Sequence, residues 1–367
     1  MPKIRILAYS DIHHDEYKNG LTGQDVYDIE CQFTKLIGER KCDMWVFAGD
    51  RFASRNPYDI TRHRADKALV ERADAYPSMK AVGVVGNHDQ WKKNARLGHS
   101  MLLSDKLYPN MSVFDAPIMH QPFDHLKMYI IPSGFEGTEL PKWDVETPFG
   151  GMRMAIYHGM LAGSKYQNGL VAEHGWDAQT LNNPAFDLVL CGDNHAHQKL
   201  DILGKTQGWY VGAPMQHSWG DAGAERGFMY FEYDTDTRHL EHEFIPSRHP
   251  KFIKMDVQAE SSKELLKWAS GAKQLVSNNI LRINVLASNE SLAKLDTSAA
   301  EAMVLKLGAR KCEFKPKFDN SAIVIKPGPA QAITDTDVWN EYIKAAAGAL
   351  EGVDASLIAE MAKEYFD

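Results

Sequence analysis

Five short clusters in the first two hundred residues carry side chains suited to divalent-metal chemistry. They are Asp11-Ile12-His13, Gly49-Asp50, Gly86-Asn87-His88-Asp89, His158-Gly159 and Gly192-Asp193-Asn194-His195. Carboxylate, imidazole and amide oxygen together favour borderline ions such as Mn2+ or Fe2+, in sites that keep open positions. Two such ions need a separation of about 3.5–4 Å and a carboxylate that can touch both. Asp50, at the tip of an apolar run, is the natural bridge. The rest divide into Asp11, His13 and His195 for one ion, and Asn87, His158 and Asp193 for the other. Such ions bring the pKa of water towards neutrality and hold phosphoryl oxygens for in-line attack. His88 directly follows a ligand, so it is expected to be the general acid or a phosphate contact. Asp89 is expected to fix the tautomer of that imidazole and keep it protonated. Singly, each cluster is weak, since Gly-Asp and Gly-Asn-His-Asp are also ordinary turn fillings. Five in order, each at the end of an apolar run, are not ordinary.

The elements that must position these clusters follow from periodicity. Lys3–Tyr9 alternates and reads as a strand, and Met44–Ala48, Ala81–Val85, Met154–Tyr157 and Leu188–Cys191 read as buried strands; each ends in one of the clusters. Gln24–Glu39 and Asp59–Ala75 have helical spacing, and Pro77 closes the second. Strands alternating with helices imply an α/β sheet with ligands gathered at strand ends. Trp209–Ala213, Gly227–Tyr233 and His239–Phe244 read as closing strands without helices between them. Beyond Pro246–Pro250 the character changes. Strands are expected over Lys251–Val257, Ile280–Leu286, Lys311–Phe318 and Ala322–Lys326, with helices over Ser262–Val276 and Asn289–Leu307. Pro327-Gly328-Pro329 breaks the chain, and Thr334–Ala349 and Ala355–Phe366 read as two amphipathic helices. The division is therefore 1–247, a small α+β unit over 248–328, and a helical segment over 329–367.

Composition sets bounds on this reading. The 367 residues are 44% hydrophobic and 25% charged, which fits two or three globular domains and excludes a disordered or disulfide-stapled chain. The net charge of −8 excludes a simple polycation, but the charge is uneven: residues 251–328 are net +5 and residues 329–367 net −6. All 15 histidines lie at or before His249, which places metal or acid–base chemistry in the first two-thirds. Outside the clusters, the histidines at 14, 63, 99, 120, 125, 174, 217, 239, 242 and 249 read as structural or exposed. No run approaches the roughly 18 apolar residues of a membrane span. Cys31, Cys42, Cys191 and Cys312 show no metal-finger spacing and read as reduced thiols of a cytoplasmic protein.

The ordered clusters resemble the calcineurin-like metallophosphoesterase superfamily, over roughly residues 4–200. Within it, the chain is similar to SbcD-type nucleases, which partner an SbcC-type ATPase in DNA-end processing. Tyr210-Val211-Gly212-Ala213-Pro214-Met215-Gln216, Ser218-Trp219-Gly220 and Arg226-Gly227-Phe228 look like the stretch closing that nuclease domain. The resemblance implies a β-sandwich flanked by helices, a small α+β DNA-capping domain and C-terminal helices that bind the ATPase. It implies two divalent ions, with Mn2+ expected, and exonuclease and endonuclease activity on double-stranded ends and single-stranded DNA. It also implies a homodimer in a bacterial or phage-infected cytoplasm. Two departures stand out. The family's last motif is Gly-His-x-His, and here Asp193 holds the first histidine position and His195 the second; the alternative pairs His195 with His197. Many members carry a histidine three residues after the bridging aspartate, where this chain has Ala53.

Basic residues flank two of the clusters: Arg51, Arg55, Arg62, Arg64 and Lys67, then Lys92, Lys93 and Arg96. A duplex needs repeated phosphate contacts, although a solvated helix face would look the same. Lys315 and Lys317 share one side of a strand and invite the same reading. In the acidic tail, Val338, Trp339, Tyr342 and Ile343 form one apolar stripe and Leu357, Ile358, Met361 and Tyr365 another. They suit either a partner or the protein's own body. The rival functions are a phosphatase or cyclic-nucleotide phosphodiesterase on the same fold, and a non-catalytic DNA-end scaffold.

Overall fold

The computed structural model describes residues 3–318, apart from 18, 93–94, 136–147, 167–168, 178–180, 182–185 and 202–205. The strand expected over Ala322–Lys326, the Pro-Gly-Pro break and both tail helices lie outside the described residues. The side chains of Lys92, Lys93 and Arg96 lie outside them too.

Two six-stranded sheets pack face to face. In the first, the order is His239–Pro246, Gly227–Asp234, Lys3–Tyr9, Met44–Phe47, Lys80–Val84 and Met111–Phe114. The last four are parallel, and the hairpin 227–246 adds antiparallel to Lys3–Tyr9. In the second, the order is Gln198–Lys199, Gln207–Tyr210, Leu188–Gly192, Met152–His158, Leu126–Ile131 and Ile118–Phe123. Its four central strands are parallel as well.

The pleat explains why these strands read as continuous apolar runs. Ile4, Ile6, Ala8, Val46 and Val82 face Met128, Ile130, Ile156 and Leu190 across the sandwich. Leu7, Tyr9, Trp45 and Phe47 face outward, onto the helix Gly23–Glu39. A strand buried on both sides has no polar alternation to show. The helix turns Val26, Ile29, Phe33 and Ile37 onto the sheet, and burying each contributes about 1.5–3 kcal/mol. Its first turn is set by Asp25, whose carboxylate accepts from the Thr22 N–H at 2.7 Å. The other sheet's outer face, with Tyr129, Tyr157 and Tyr210, is covered by Leu161, Trp176, Leu181 and Phe186 from the irregular stretch after His158.

A third sheet of three parallel strands, Phe252–Gln258, Ile280–Ala287 and Lys311–Phe318, has its own core of Leu265, Ala269, Leu281, Ile283 and Val304. Phe252 and Ile280 join the core beneath the first sheet, so the sandwich and this sheet are in contact. The two long helices expected here are each broken. The first runs Ser262–Gly271 and resumes over Lys273–Val276. The second is Asn289–Lys294 followed by Ser298–Lys306, because Asp296 accepts from the Ser298 N–H at 2.9 Å and interrupts the ladder. The strands Met111–Phe114, Ile118–Phe123 and Leu126–Ile131 go beyond the sequence reading.

Candidate metal centre

The apolar strands of both sheets deliver their carboxyl ends to one place. Asp11 follows Tyr9, Asp50 follows Phe47, Asn87 follows Val84, and His158 and Asp193 end the central strands of the other sheet. Asp11, His13, Asp50 and Asp193 all have left-handed backbones, with φ of 52, 47, 61 and 85°. Such strain in non-glycine residues persists only where the surroundings enforce it. Here the enforcement is mutual. Asp11 N–H donates to the Gly49 carbonyl at 2.8 Å, and Asp193 N–H donates to the Asp11 carboxylate at 3.2 Å. Gly49 and Gly86 are obligatory, since a Cβ would strike His158 at the first and the Asp50 carboxylate at the second.

Two ligand sets result. Asp11, His13 and His195 form one group of ligand atoms, and Asp11, Asp50 and His158 another, each within 4.8 Å. Asp50 directs one oxygen to each side: Oδ2 lies 3.7 Å from His13 Nε2, and Oδ1 lies 3.4 Å from His158 Nε2. Asn87 Oδ1 lies 3.1 Å from His158 Nε2, and Asp193 Oδ1 lies 3.9 Å from the same atom. His158 Nδ1–H donates to the Ala48 carbonyl at 2.6 Å, which leaves Nε2 with its lone pair facing inward.

These residues fit metal ions. His13 Nε2 and His195 Nε2 are 3.0 Å apart. The inward amide atom of Asn87 is 3.0–3.1 Å from both Asp50 oxygens and from His158 Nε2. An amide oxygen there needs a cation beside it, and an amide N–H there would donate to the Asp50 carboxylate. Lone pairs crowded at about 3 Å repel unless a cation lies among them, and ~3 Å is the spacing of neighbouring ligands on bonds of about 2.1 Å at right angles. The charge balance agrees. Burial pushes the Asp11 carboxyl up to about 6, and Asp50 adds to the rise. Burial pushes His13 down to about 3, with Asp50 opposing and His195 and His88 reinforcing. Burial resists protonation of His158, yet the Asp50 carboxylate outweighs it and raises that imidazole well above its ordinary value.

Two sequence readings change, those of Asp89 and of the basic flank, and the His197 alternative closes. Asp89 does not touch the His88 ring. Its carboxylate accepts from the backbone N–H groups of Asp50, Arg51, Phe52 and Gly86 at 3.0–3.3 Å and so shapes the Asp50 turn. The His88 tautomer is set instead by the Ala53 carbonyl, 2.9 Å from Nδ1. His197 is turned away from the centre and stacks on Trp209 and Phe244, so Asp193 rather than His197 joins His195 there. The basic flank is mostly neutralised: Arg51 is buried against Ser104 and Asp66, Arg64 pairs with Glu16, and Lys67 with Glu71. Arg55 alone of that flank lines a cleft of about 500 Å³ beside Asn87 and Asp193, with Gln90, Tyr166 and His174.

Other residues shape the centre from outside the five clusters. His217 Nε2 lies 3.0 Å from the Asp11 carbonyl, and Asp221 lies 3.9 Å from His195 Nδ1. Arg226 donates to the His195 carbonyl and to Asp221. They arrive from the far side of the fold with no metal-like spacing in the sequence.

A family model described as calcineurin-like phosphoesterase matches residues 4–197. The chain belongs to that family. This phosphoesterase is a hydrolase by family, and the family implies divalent metals, for which the centre just described offers ligand atoms. Among solved structures it is similar to a dimetal phosphatase from Danio rerio at 10% identity, covering 62% of this chain and 92% of that one, with a TM-score of 0.42. It is similar to the phosphoesterase Yfce from E. coli at 14% identity, covering 66% and 100%, with a TM-score of 0.32. The nuclease MPE from Pseudomonas putida is similar at 14% identity, covering 64% and 87%, with a TM-score of 0.29. No curated protein matches this chain. Among the described residues, no helix is long and apolar enough to cross a membrane.

Proposed function

We propose that this phosphoesterase is a two-metal DNA phosphodiesterase with exonuclease and endonuclease character. In this reading it is the nuclease subunit of an SbcC–SbcD-type complex that processes DNA ends in the cytoplasm. The observation that carries the two-metal part is Asp50, whose two oxygens each face a separate ligand set. Asp11, His13 and His195 would hold one ion, Asn87, His158 and Asp193 the other, with Asp50 shared; Mn2+ suits this donor mixture. When bound, the ions supply polarisation of the phosphoryl oxygens and activation of water. The chain's own residues do the rest. His88 donates its Nδ1–H to Ala53, which leaves Nε2 as the atom that can take or give a proton. Arg55, whose guanidinium donates to the Asn87 carbonyl at 3.2 Å, offers a cation to a phosphate entering the cleft.

The preference for DNA over a small ester rests on the chain beyond the family segment. A long stretch of chain, residues 198–367, follows it, and Lys315 and Lys317 are exposed on the third sheet. The capping role of residues 248–328, ATPase docking by 329–367 and homodimerisation belong to the same proposal. A small-ester phosphatase or phosphodiesterase is the second reading, favoured by the pairing of Arg51, Arg64 and Lys67 with acids. The test uses end-labelled linear duplex and bis(p-nitrophenyl) phosphate, both with Mn2+. Wild-type protein should degrade the duplex and Asp50→Ala should not. Cleavage of the chromogenic ester alone would favour the second reading, and cleavage of neither would leave a scaffold.

A further inference from the structure

The turn Asp11-Ile12-His13 supplies two ligands from two left-handed residues, so something must hold its carbonyls. Two side chains do, and both come from outside the clusters. His217 Nε2–H reaches the Asp11 carbonyl at 3.0 Å, and the Tyr17 hydroxyl donates to the His13 carbonyl at 2.5 Å. The Tyr17 oxygen and His217 Nδ1 are 2.8 Å apart, and the two rings are nearly parallel, with centroids at 5.8 Å. His217 also sits 5.2 Å from the His13 ring and 5.3 Å from the His195 ring, the two imidazoles of one ligand set. Its Nε2 is turned to the Asp11 carbonyl and its Nδ1 to the Tyr17 oxygen, so neither nitrogen is aimed at the ligand set. The other set has different supports: His158 is held by Ala48, and the Asp50 turn by Asp89.

We propose that Tyr17 and His217 are positioning residues chiefly for one metal ion, the one held by Asp11, His13 and His195; of these three only Asp11 also belongs to the other group of ligand atoms. The inference rests on the two-metal reading and assigns separate scaffolds to the two sites. The tie is long-range: Tyr17 follows the first strand, whereas His217 is 200 residues later. The His217 segment is anchored from behind, where Asp221 accepts from the His217 N–H at 2.9 Å and Gln216 Oε1 accepts from Phe252 N–H at 2.7 Å.

The test is Mn2+ titration of chelator-stripped, full-length protein, by calorimetry and by electron paramagnetic resonance for a coupled ion pair. Wild type should bind two ions per chain and show spin coupling. His217→Ala should weaken one site by about 10- to 100-fold, the usual loss when a ligand's orienting partner is removed, and the other much less. Tyr17→Phe keeps the ring contact, removes only the hydroxyl, and should give a smaller loss at the same site. Equal weakening of both sites, or two unchanged sites in both variants, would overturn the inference. A wild type that binds a single ion would instead sink the two-metal reading, and this one with it.

Discussion

Two ion-paired networks in this protein use the same chemistry in opposite surroundings. Beneath the first sheet, Glu30 is buried between Arg72, His14 and the Tyr9 hydroxyl, with His14 Nε2 at 3.0 Å and Tyr9 Oη at 3.0 Å. On the open face of the third sheet, Lys317 pairs with Asp256 at 2.6 Å and Arg282 with Glu313 at 2.6 Å, all within reach of water. The buried network cannot exchange partners, because removing Glu30 or Arg72 strands the other's charge in a dry site. It therefore anchors the strand and turn that lead into Asp11 and His13. The exposed pairs contribute little to stability and exchange readily. The sandwich thus uses its ions to hold geometry, whereas those of the third sheet stay partly exposed to solvent.

Three variants probe that contrast from different sides. The largest effect is expected at the centre itself, where His88→Ala should lower turnover by about 10²–10⁴-fold while both ions remain bound. Near-normal rates would remove His88 from the chemistry. Next is Glu30→Gln, which leaves Arg72 buried without its counter-charge. A loss of about 3–5 kcal/mol is expected in urea denaturation at neutral pH. Its pH dependence follows from the network. Burial pushes the Glu30 carboxyl up, but Arg72 and His14 outweigh burial and hold it below its ordinary 4.5. A depressed carboxylate stabilises fully above that value and loses its contribution as pH falls further. Wild-type stability should therefore decline below about pH 4.5 more steeply than that of the variant. Parallel acid limbs would mean the network is not what resists acid. The smallest effect belongs to the third sheet. Lys315→Glu with Lys317→Glu should weaken duplex binding and reduce its salt dependence by about one unit of slope for each phosphate no longer neutralised. Hydrolysis of bis(p-nitrophenyl) phosphate should not change, and a drop there would tie the third sheet to the centre rather than to DNA.

Residue patterns alone carry much of this molecule. The runs at 44–47 and 188–192 carry no charged residue because both faces are covered, those at 3–9 and 152–158 are mostly apolar, and each leads to a carboxylate or imidazole. Gly49 and Gly86 announce turns too tight for a Cβ. The helix at Asp59–Ala75 is bounded by its own charges and by the proline that follows. Short, mixed strands such as Met111–Phe114 and Ile118–Phe123 have no such signature, because half-exposed edges tolerate nearly any residue.

Local sequence fixes the elements, the turns and the donor atoms, since backbone preference and burial act over a few residues. Which group holds which is settled in three dimensions. Asp89 beside His88 in the chain serves the Asp50 turn instead, and His197 two residues from His195 faces Trp209. Tyr17 and His217 meet only because two distant loops converge on the same pair of carbonyls. A hydrogen-bond partner is chosen by proximity in space, and a buried carbonyl accepts whichever donor the packing brings within about 3 Å.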